Sequence, residues 1–441
     1  MSTPMQAQAR ANPYNTIVIG AGAAGLAAAR TLQDAGRNVL ILEARNRIGG
    51  RVHSNYDFAP HPVELGAEFL HGENIISWNW LRQQGLTTLP AFEDDRNLFM
   101  YIHQALQSFR RWADIPGTEV LDGIGNAQLY RQARAWVAAR KPDISLGQFL
   151  LEHDVVMAPE VHRILDNYFS GSYGANLEQL GIYGLLELSY EGDGEEYFRV
   201  QEGYTQLLEP LAAGLSIHYQ SPVTHIAWHR SPLEIHTAAT TYTAEQVVIT
   251  LPLALLQSNA VTFDPALPAS KGSAINGLGV GQANKVIFKF AEPFWPEAME
   301  ACLTTLSSQM WWRPGWQRPG EAPLLTAFLG ANAALEFSAL SRLGQGRVTQ
   351  ELLGQLERMF ALPLASHVVD VLYVDWSADP YARMGYSYTP VNGTGLRARL
   401  AEPLGNALFF AGEATHSSRA ASVHGALESG IRAAQEILAL R

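Results

Sequence analysis

Residues 16–43 read TIVIGAGAAGLAAARTLQDAGRNVLILE, and this stretch decides the fold. A β-branched run at residues 16–19 leads into Gly20-Ala-Gly22-Ala-Ala-Gly25. Small and aliphatic residues then recur at helical spacing as far as Gly36, a helix stop, and a second apolar run at 38–42 ends on Glu43. Strand, glycine turn, helix, strand is the βαβ context that the GxGxxG fingerprint requires. Each residue type has a task there. Gly20 permits the tight turn, Gly22 lets a pyrophosphate reach the backbone, and Gly25 lets the helix pack on the strand. The helix N-terminus presents N–H groups and positive dipole to the phosphates, with Ala24 in its first turn. Glu43 stands where a carboxylate can accept both ribose hydroxyls. GxGxxG alone is weak evidence, but with both strands and the acidic residue it reads as a dinucleotide site.

The next segment bears on which dinucleotide. Ala44-Arg45-Asn-Arg47-Ile-Gly49-Gly50-Arg51 is a second glycine turn flanked by arginines. A nicotinamide site has no use for it. A flavin dinucleotide lying extended does, since more backbone and an arginine must meet its pyrophosphate. The competing reading is a solvated basic loop.

Bulk properties narrow the class. At 441 residues two domains are expected. The 47% hydrophobic and 17% charged content is that of a globular chain. The net charge of −11, with no run of Lys and Arg, argues against nucleic-acid binding and is compatible with cationic ligands. One cysteine, Cys302, excludes an internal disulfide framework and a cysteine metal site and favours a reducing compartment. The first fifteen residues lack a signal-peptide core, no run approaches the roughly 20 apolar residues of a membrane span, and Arg441 follows a helical pattern without an anchor. The expectation is a cytoplasmic protein without membrane or metal; its oligomeric state is not legible.

The glycine turns, together with VELGAEFLHG at 63–72 and LFFAGEATHSS…SVHGALESGIRAA at 408–434, resemble the flavin-containing amine oxidases over essentially the whole chain. The resemblance implies a doubly wound GxGxxG FAD-binding domain with an inserted α+β substrate domain, in the amine oxidase/p-hydroxybenzoate hydroxylase-like topology. The expected division assigns 14–75, 200–285 and 372–441 to the FAD domain and 76–199 and 286–371 to the substrate domain. Patterning at 78–186 reads as helix-rich and strand-poor, with helices at 106–112 and 127–139. A β-rich block follows at 216–250, with alternation at 224–228, 233–237 and 246–250. The Trp/Pro/Gly-rich segment 310–323 reads as a loop that either shapes the substrate entrance or packs on the surface.

The same resemblance assigns roles. FAD would be held by Gly20, Gly22, Ala24, Gly25, Glu43, Ala44, Arg45, Gly50 and Arg51, by Gly66, Ala67 and Glu68, and by Val223 through backbone near adenine. The C-terminal contacts would be Trp376, Gly412, Glu413, Ser422 and Val423. Lys285 matches the family lysine that holds a water near the flavin, although by pattern alone it is equally a strand lysine facing solvent, as Lys289 is expected to be. Trp376 and Tyr386 resemble the aromatic pair over the substrate side, with Tyr388 a two-residue slip away. Monoamine oxidases carry a flavin-linked cysteine where this chain has Gly385, so FAD should be noncovalent. They place a second cage tyrosine where this chain has Ser422, a position at which animal polyamine oxidases tolerate a small hydroxyl residue. His71 matches an active-site histidine of those enzymes. The acidic stretch 190–204 resembles plant polyamine oxidases, with Glu191 and Glu68 as candidate carboxylates for a distal ammonium.

The implied activity is flavin-dependent oxidation of a polyamine such as spermidine or spermine, with Lys285, Tyr386 and His71 catalytic and His71, Glu68, Tyr386, Ser422 and Glu191 meeting the substrate. The amine must lose its proton first. For an alkylammonium of pKa roughly 10.4 that costs roughly 4 kcal/mol at neutral pH, and an apolar site lowers the cost. An L-amino-acid oxidase would need an arginine clamp, for which Arg383 and Arg419 are available; Arg419 stands where relatives often carry an aromatic residue. A monoamine oxidase and, as a non-enzymatic alternative, an escort protein for small GTPases on the same fold complete the alternatives.

Overall fold

A computed structural model describes residues 14–92, 98–110, 114, 126–153, 158–187, 192–194 and 196–440. The quoted stretch forms β1 (Tyr14–Ile19), α1 (Ala23–Asp34) and β2 (Val39–Leu42). Gly36 follows α1 with φ +79°, so the helix ends where its glycine stop was read. β1 and β2 pair in parallel, with Ile17 opposite Leu40. On its other edge β1 pairs in parallel with Thr241–Ile249, which in turn carries Leu408–Phe410 in parallel. Ser216–His218 extends the sheet beyond β2; Leu233–Thr237, antiparallel to Thr241–Ile249, and Val223–Ala227, antiparallel to it in turn, extend the far edge, where Thr262–Asp264 adds a last strand in parallel.

Parallel strands covered on both faces should be apolar at consecutive positions, because alternate side chains enter different cores. Ile17 and Val18, Leu40 and Ile41, and Val247 and Val248 are all fully buried. Val18, Ile41 and Val248 join Leu26 and Ala27 of α1 and Leu427 and Ala434 of the C-terminal helix Val423–Leu438 in one core. Ile17, Leu40 and Val247 face a second core with Leu253 and Ile275. This packing brings the two ends of the chain together over β1.

The second large sheet runs in the order Val368–Val374, Ala283–Phe290, Leu324–Gly330, Met310–Trp312, Ala301–Thr304, Leu98–Ile102, Ala105–Phe109. The division expected at 285 and at 372 therefore falls within two strands that belong to this sheet. In Ala283–Phe290, alternation sends Val286, Phe288 and Phe290 into a core beneath the helices Ala331–Arg342 and Gln345–Phe360. Lys285, Ile287 and Lys289 point the other way.

Two sequence expectations fail here. Residues 105–109 form a strand, not part of a helix, and residues 111–112 lie outside the described residues. The i, i+3 spacing of Leu106 and Phe109 imitated a helix. Instead the two-residue turn His103-Gln104, both at positive φ, folds the segment back as a hairpin on Leu98–Ile102. Likewise 310–323 is not all loop, because Met310–Trp312 is an internal strand with Trp311 fully buried. The expected helix at 127–139 is Asn126–Ala138.

Candidate active site

One continuous cavity of about 1720 Å³ runs from the glycine turn after β1 to the inner face of the second sheet. That exceeds the roughly 300–1,000 Å³ usual for one small ligand and leaves room for an extended dinucleotide with a substrate beyond it.

At the first end, Gly20 has φ +102°, and a Cβ on Gly25 would lie 1.9 Å from Gly20 O. These two glycines make the turn and the close packing; Gly25 does not itself line the cavity. Gly22 differs, since a Cβ there would meet nothing nearer than Gly49 O at 4.0 Å. The space in front of Gly22 is open, and no side chain caps the N-terminus of α1. An anion can therefore be taken up there by backbone N–H groups. Glu43 is buried and aimed, its Oε2 accepting from Ala21 N at 2.7 Å and its Oε1 from Arg45 N at 2.8 Å. Ala24, Ala44 and Val223 line the same end.

The second glycine turn is a built element and not a solvated loop. Gly49 bridges to Gly22, and Arg47 donates to Ile48 O and Gly50 O. Arg45 makes a two-bond pair with Asp379, at 2.9 and 2.6 Å, and its guanidinium lies 5.9 Å from the centre of the Trp376 ring. Arg51 reaches Gly385 O at 2.6 Å and Glu413 Oε1 at 3.1 Å. Glu413 also accepts from Ser387 Oγ at 2.7 Å and Ala421 N at 3.0 Å. Burial alone would raise this carboxyl, but Arg51, Arg397 and these donors outweigh it and hold it below the usual range. Gly50, Gly66, Ala67, Gly412, Ser422 and Val423 complete this wall.

Where the sheets meet, Lys285 enters the cavity as the strand alternation dictates. Its Nζ donates to Glu64 O at 2.9 Å and Glu68 Oε2 at 2.8 Å. Glu68 also accepts from Arg199 Nε at 2.9 Å and Trp312 Nε1 at 3.0 Å. Burial opposes ionisation of Glu68, yet Lys285 and Arg199 together lower its pKa. The carboxylate expected to meet a distal ammonium is thus saturated by protein donors, and its role is to hold Lys285. Removing one partner from a buried pair of this kind costs about 3–5 kcal/mol. Lys289 is not a free solvent lysine either, since it donates to Phe58 O at 3.0 Å.

Tyr386, and not Tyr388, lines the cavity. Its hydroxyl donates to Gly171 O in a short hydrogen bond, and burial raises its pKa. Trp376 is fixed by a 2.9 Å bond from Nε1 to Leu65 O. Phe69, Phe92, Tyr168, Tyr173, Tyr197, Trp312 and Phe328 surround the space beyond. His71 belongs to this wall, its ring 5.0 Å from that of Tyr197, and burial pushes its imidazole down to about 4. It is therefore neutral at physiological pH. Ser422 faces the cavity but spends its hydroxyl as a helix cap, donating to Arg419 O and accepting from Gly425 N. Glu191 lies outside the described residues.

Trp312 and Arg419 are among the site residues to which sequence assigns no role, as are Arg199 and Asp379. Trp312 sat in a segment read as loop. Arg419 had no account as a departure; its guanidinium binds Asp193 and Glu428. The acidic stretch was the available signal for its partner.

The whole constellation is a dinucleotide cleft opening onto an aromatic, lysine-bearing chamber, the layout of a redox enzyme whose cofactor reacts at the inner end. The model for flavin containing amine oxidoreductases matches residues 23–438, and the chain belongs to that family. It is 33% identical to polyamine oxidase 2 of Arabidopsis thaliana over 96% of this chain and 87% of that one. It is 27% identical to human lysine-specific histone demethylase 2, over 96% of this chain but 53% of that one. Among solved structures, putrescine oxidase bound to putrescine superposes with a TM-score of 0.82 at 21% identity, covering 97% and 99% of the two chains. Cyclohexylamine oxidase from Brevibacterium oxydans gives 0.81 at 23%, covering 96% and 98%. The cofactor is FAD. The open space before Gly22, the aimed Glu43 and the uncapped α1 fit its dinucleotide.

Proposed function

We propose that the protein oxidises a polyamine, with spermidine and spermine as the candidate substrates, to an aldehyde and a shorter amine. The observation that carries this reading is the 33% identity to a plant polyamine oxidase along nearly the whole chain. The site gives it a chemical basis. Bound FAD would accept the hydride from the carbon alpha to nitrogen, leaving an imine for water to hydrolyse. The protein's residues do the rest. Tyr386, Trp376 and the neutral His71 make an apolar wall that disfavours an ammonium at the reacting nitrogen. Lys285, held by Glu68, supplies a fixed donor at the inner end. Four carboxylates line the cavity among the described residues. Glu43, Glu68 and Glu413 are engaged by protein donors, whereas Glu196 is exposed, at the edge of the aromatic chamber. An exposed carboxylate on the wall of this cavity is where a second ammonium belongs.

Arg419 cannot serve as an amino-acid clamp while it is paired with Asp193 and Glu428. Arg131 and Arg134 also line the cavity, and a carboxylate-bearing substrate would use them. The decisive experiment mixes the yellow protein anaerobically with spermidine, benzylamine or L-amino acids and follows flavin absorbance. Rapid bleaching by spermidine, and not by the others, is expected. Bleaching by an amino acid or benzylamine alone overturns the substrate while leaving the family intact. We further propose a cytoplasmic location, supported by the single, buried cysteine; fractionation of cells with an antibody to the chain checks it.

A further inference from the structure

Arg419 occupies a peculiar position. Its backbone N donates to His416 Nδ1 at 3.0 Å and its carbonyl accepts from Ser422 Oγ at 2.7 Å. The backbone is thereby fixed just ahead of the helix Val423–Leu438, whose N-cap is Ser422. From there the side chain reaches across to a different part of the chain. Nε lies 2.8 and 2.9 Å from the two carboxylate oxygens of Asp193, and Nη2 makes a further short bond to Oδ1. Nη1 lies 3.1 and 3.2 Å from the oxygens of Glu428. His416 Nε2 is 2.9 Å from Glu428, closing the cluster.

Asp193 is fully buried, although Gly192 and Gly194 on either side are exposed and line the cavity. A buried carboxylate needs compensation. His424 Nε2 stands 3.4 Å away, but burial and the nearby His71 push His424 down to about 3, so it offers no charge. The charge is supplied by Arg419. The backbone of the same turn is tied to the rim, with Asp193 O accepting from Asn74 N at 2.8 Å and Glu196 O from Gly72 N at 2.8 Å. These bonds link the cap of the C-terminal helix, through Arg419, Asp193 and the backbone of residues 72–74, to Glu196.

We propose that Arg419 is a positioning residue for substrate binding. By anchoring Asp193 it holds the Gly192–Gly194 turn against the helix, and so sets Glu196 at the cavity edge to meet the distal ammonium. The proposal rests on the polyamine reading for its ligand but not for its mechanics. A buried side chain held by two-bond geometry fixes position, whereas the exposed Glu196 supplies the contact. Division of these tasks between two carboxylates of one short stretch explains why both are present and why an arginine replaces an aromatic residue at 419.

The test uses the FAD-loaded protein and the variants Arg419→Gln, Glu196→Gln and their combination. Arg419→Gln should raise the spermidine Kd from anaerobic flavin reduction about fivefold, the upper scale of one exposed charge contact. The limiting reduction rate and FAD content should stay close to those of the parent, whereas Tm should fall, because the buried Asp193 loses its compensating charge. Glu196→Gln should raise the Kd by a similar factor with Tm unchanged, and the double variant should bind no worse than either, since both remove one interaction. Additive effects overturn the proposal, because they would mean that Arg419 acts elsewhere. Hydrogen exchange at the Asn74 amide, which donates to Asp193 O, should quicken in Arg419→Gln and not in Glu196→Gln. Unchanged exchange there also overturns it. If Arg419→Gln does not fold, Asp193→Asn, which keeps size and shape, replaces it with the same expectations. Should spermidine fail to bleach the parent protein, the substrate reading has failed and the exchange measurement still decides the anchoring.

Discussion

The two halves of the cavity are built by different means. The dinucleotide half is made of backbone and local motifs. Gly20, Gly22 and Glu43 come from a single βαβ unit, and its polar side chains are secured within the protein, Glu43 by two N–H groups and Glu413 by Arg51 and Ser387. The substrate half is made of side chains delivered by distant elements. Lys285 comes from the second sheet, Glu68 from the segment before Leu70–His71, Arg199 from Tyr197–Val200 and Trp312 from Met310–Trp312. A cofactor common to a family can be held by backbone, which tolerates sequence change; a substrate must be recognised by side chains, which can be varied one at a time.

The sharpest way to break this contrast is at Gly22. Its φ of −76° suits any residue, and a Cβ would enter open space. Gly22→Val should therefore fold, yet lose most of its flavin, about tenfold or more in affinity, because larger side chains fill the room a pyrophosphate needs. The ratio of flavin to protein absorbance, with circular dichroism for the fold, measures it. Gly25→Ala is the counterpart, its Cβ meeting Gly20 O at 1.9 Å, and should lose stability and flavin together. Retained flavin in Gly22→Val would show that the cofactor does not approach this turn.

Next in size is Lys285→Met. The chamber should stay closed because Arg199 and Trp312 still hold Glu68, and flavin should be retained. Turnover should fall about 10²-fold or more, the usual scale for loss of a positioned proton-handling group. Stopped-flow reduction and reoxidation, measured separately, would locate the loss. A near-normal rate would reduce Lys285 to a structural partner of Glu68.

The same contrast governs what sequence alone discloses. Strand, turn and helix at 14–42 are readable because their tasks are local, and Gly36 marks the helix end. Lys285 was ambiguous because one strand cannot say which of its faces is covered; the helices over Val286, Phe288 and Phe290 decide it. The hairpin at 98–109 escaped notice because its turn residues, His103 and Gln104, are not the usual glycine or asparagine. Trp312 and Arg419 have partners more than 200 positions away, and no periodicity encodes such pairs. Glu68 was found, but its saturation by Lys285, Arg199 and Trp312 is a tertiary fact.

Tyr386 tests a smaller matter, whether the ring or the hydroxyl counts. The hydroxyl donates to Gly171 O, away from any need for chemistry. Tyr386→Phe should cost about 1 kcal/mol of stability and leave reduction within about threefold. Tyr386→Ala should weaken amine binding about tenfold, since the aromatic wall is opened. Equal loss in both variants would assign the hydroxyl a direct part in the reaction.

The smallest effect separates the halves by pH. His71 and His424 have their pKa values lowered to about 4 and about 3 by burial, whereas unfolded histidine takes a proton near 6.5. Between these values the unfolded chain binds more protons than the folded one, so stability is full above about 6.5 and declines as the pH falls toward 4. Glu68 and Glu413 have lowered values too, but their stabilisation is present above the ordinary carboxylate pKa of 4.5 and is lost only below it. The interval from pH 6.5 to 4.5 thus belongs to buried histidines, His71 and His424 by the substrate chamber together with His53 beside Arg45 and Arg47, and below it the carboxylates that hold Lys285 and Arg51 add their own loss. Tm should drop by several degrees across the first interval while the flavin stays bound. Its release should follow below pH 4.5, and His71→Gln should lessen the first slope, leaving the share of the other buried histidines. Simultaneous loss of Tm and flavin on acidification would mean that the two halves unfold as one and that the contrast between them ends at their construction.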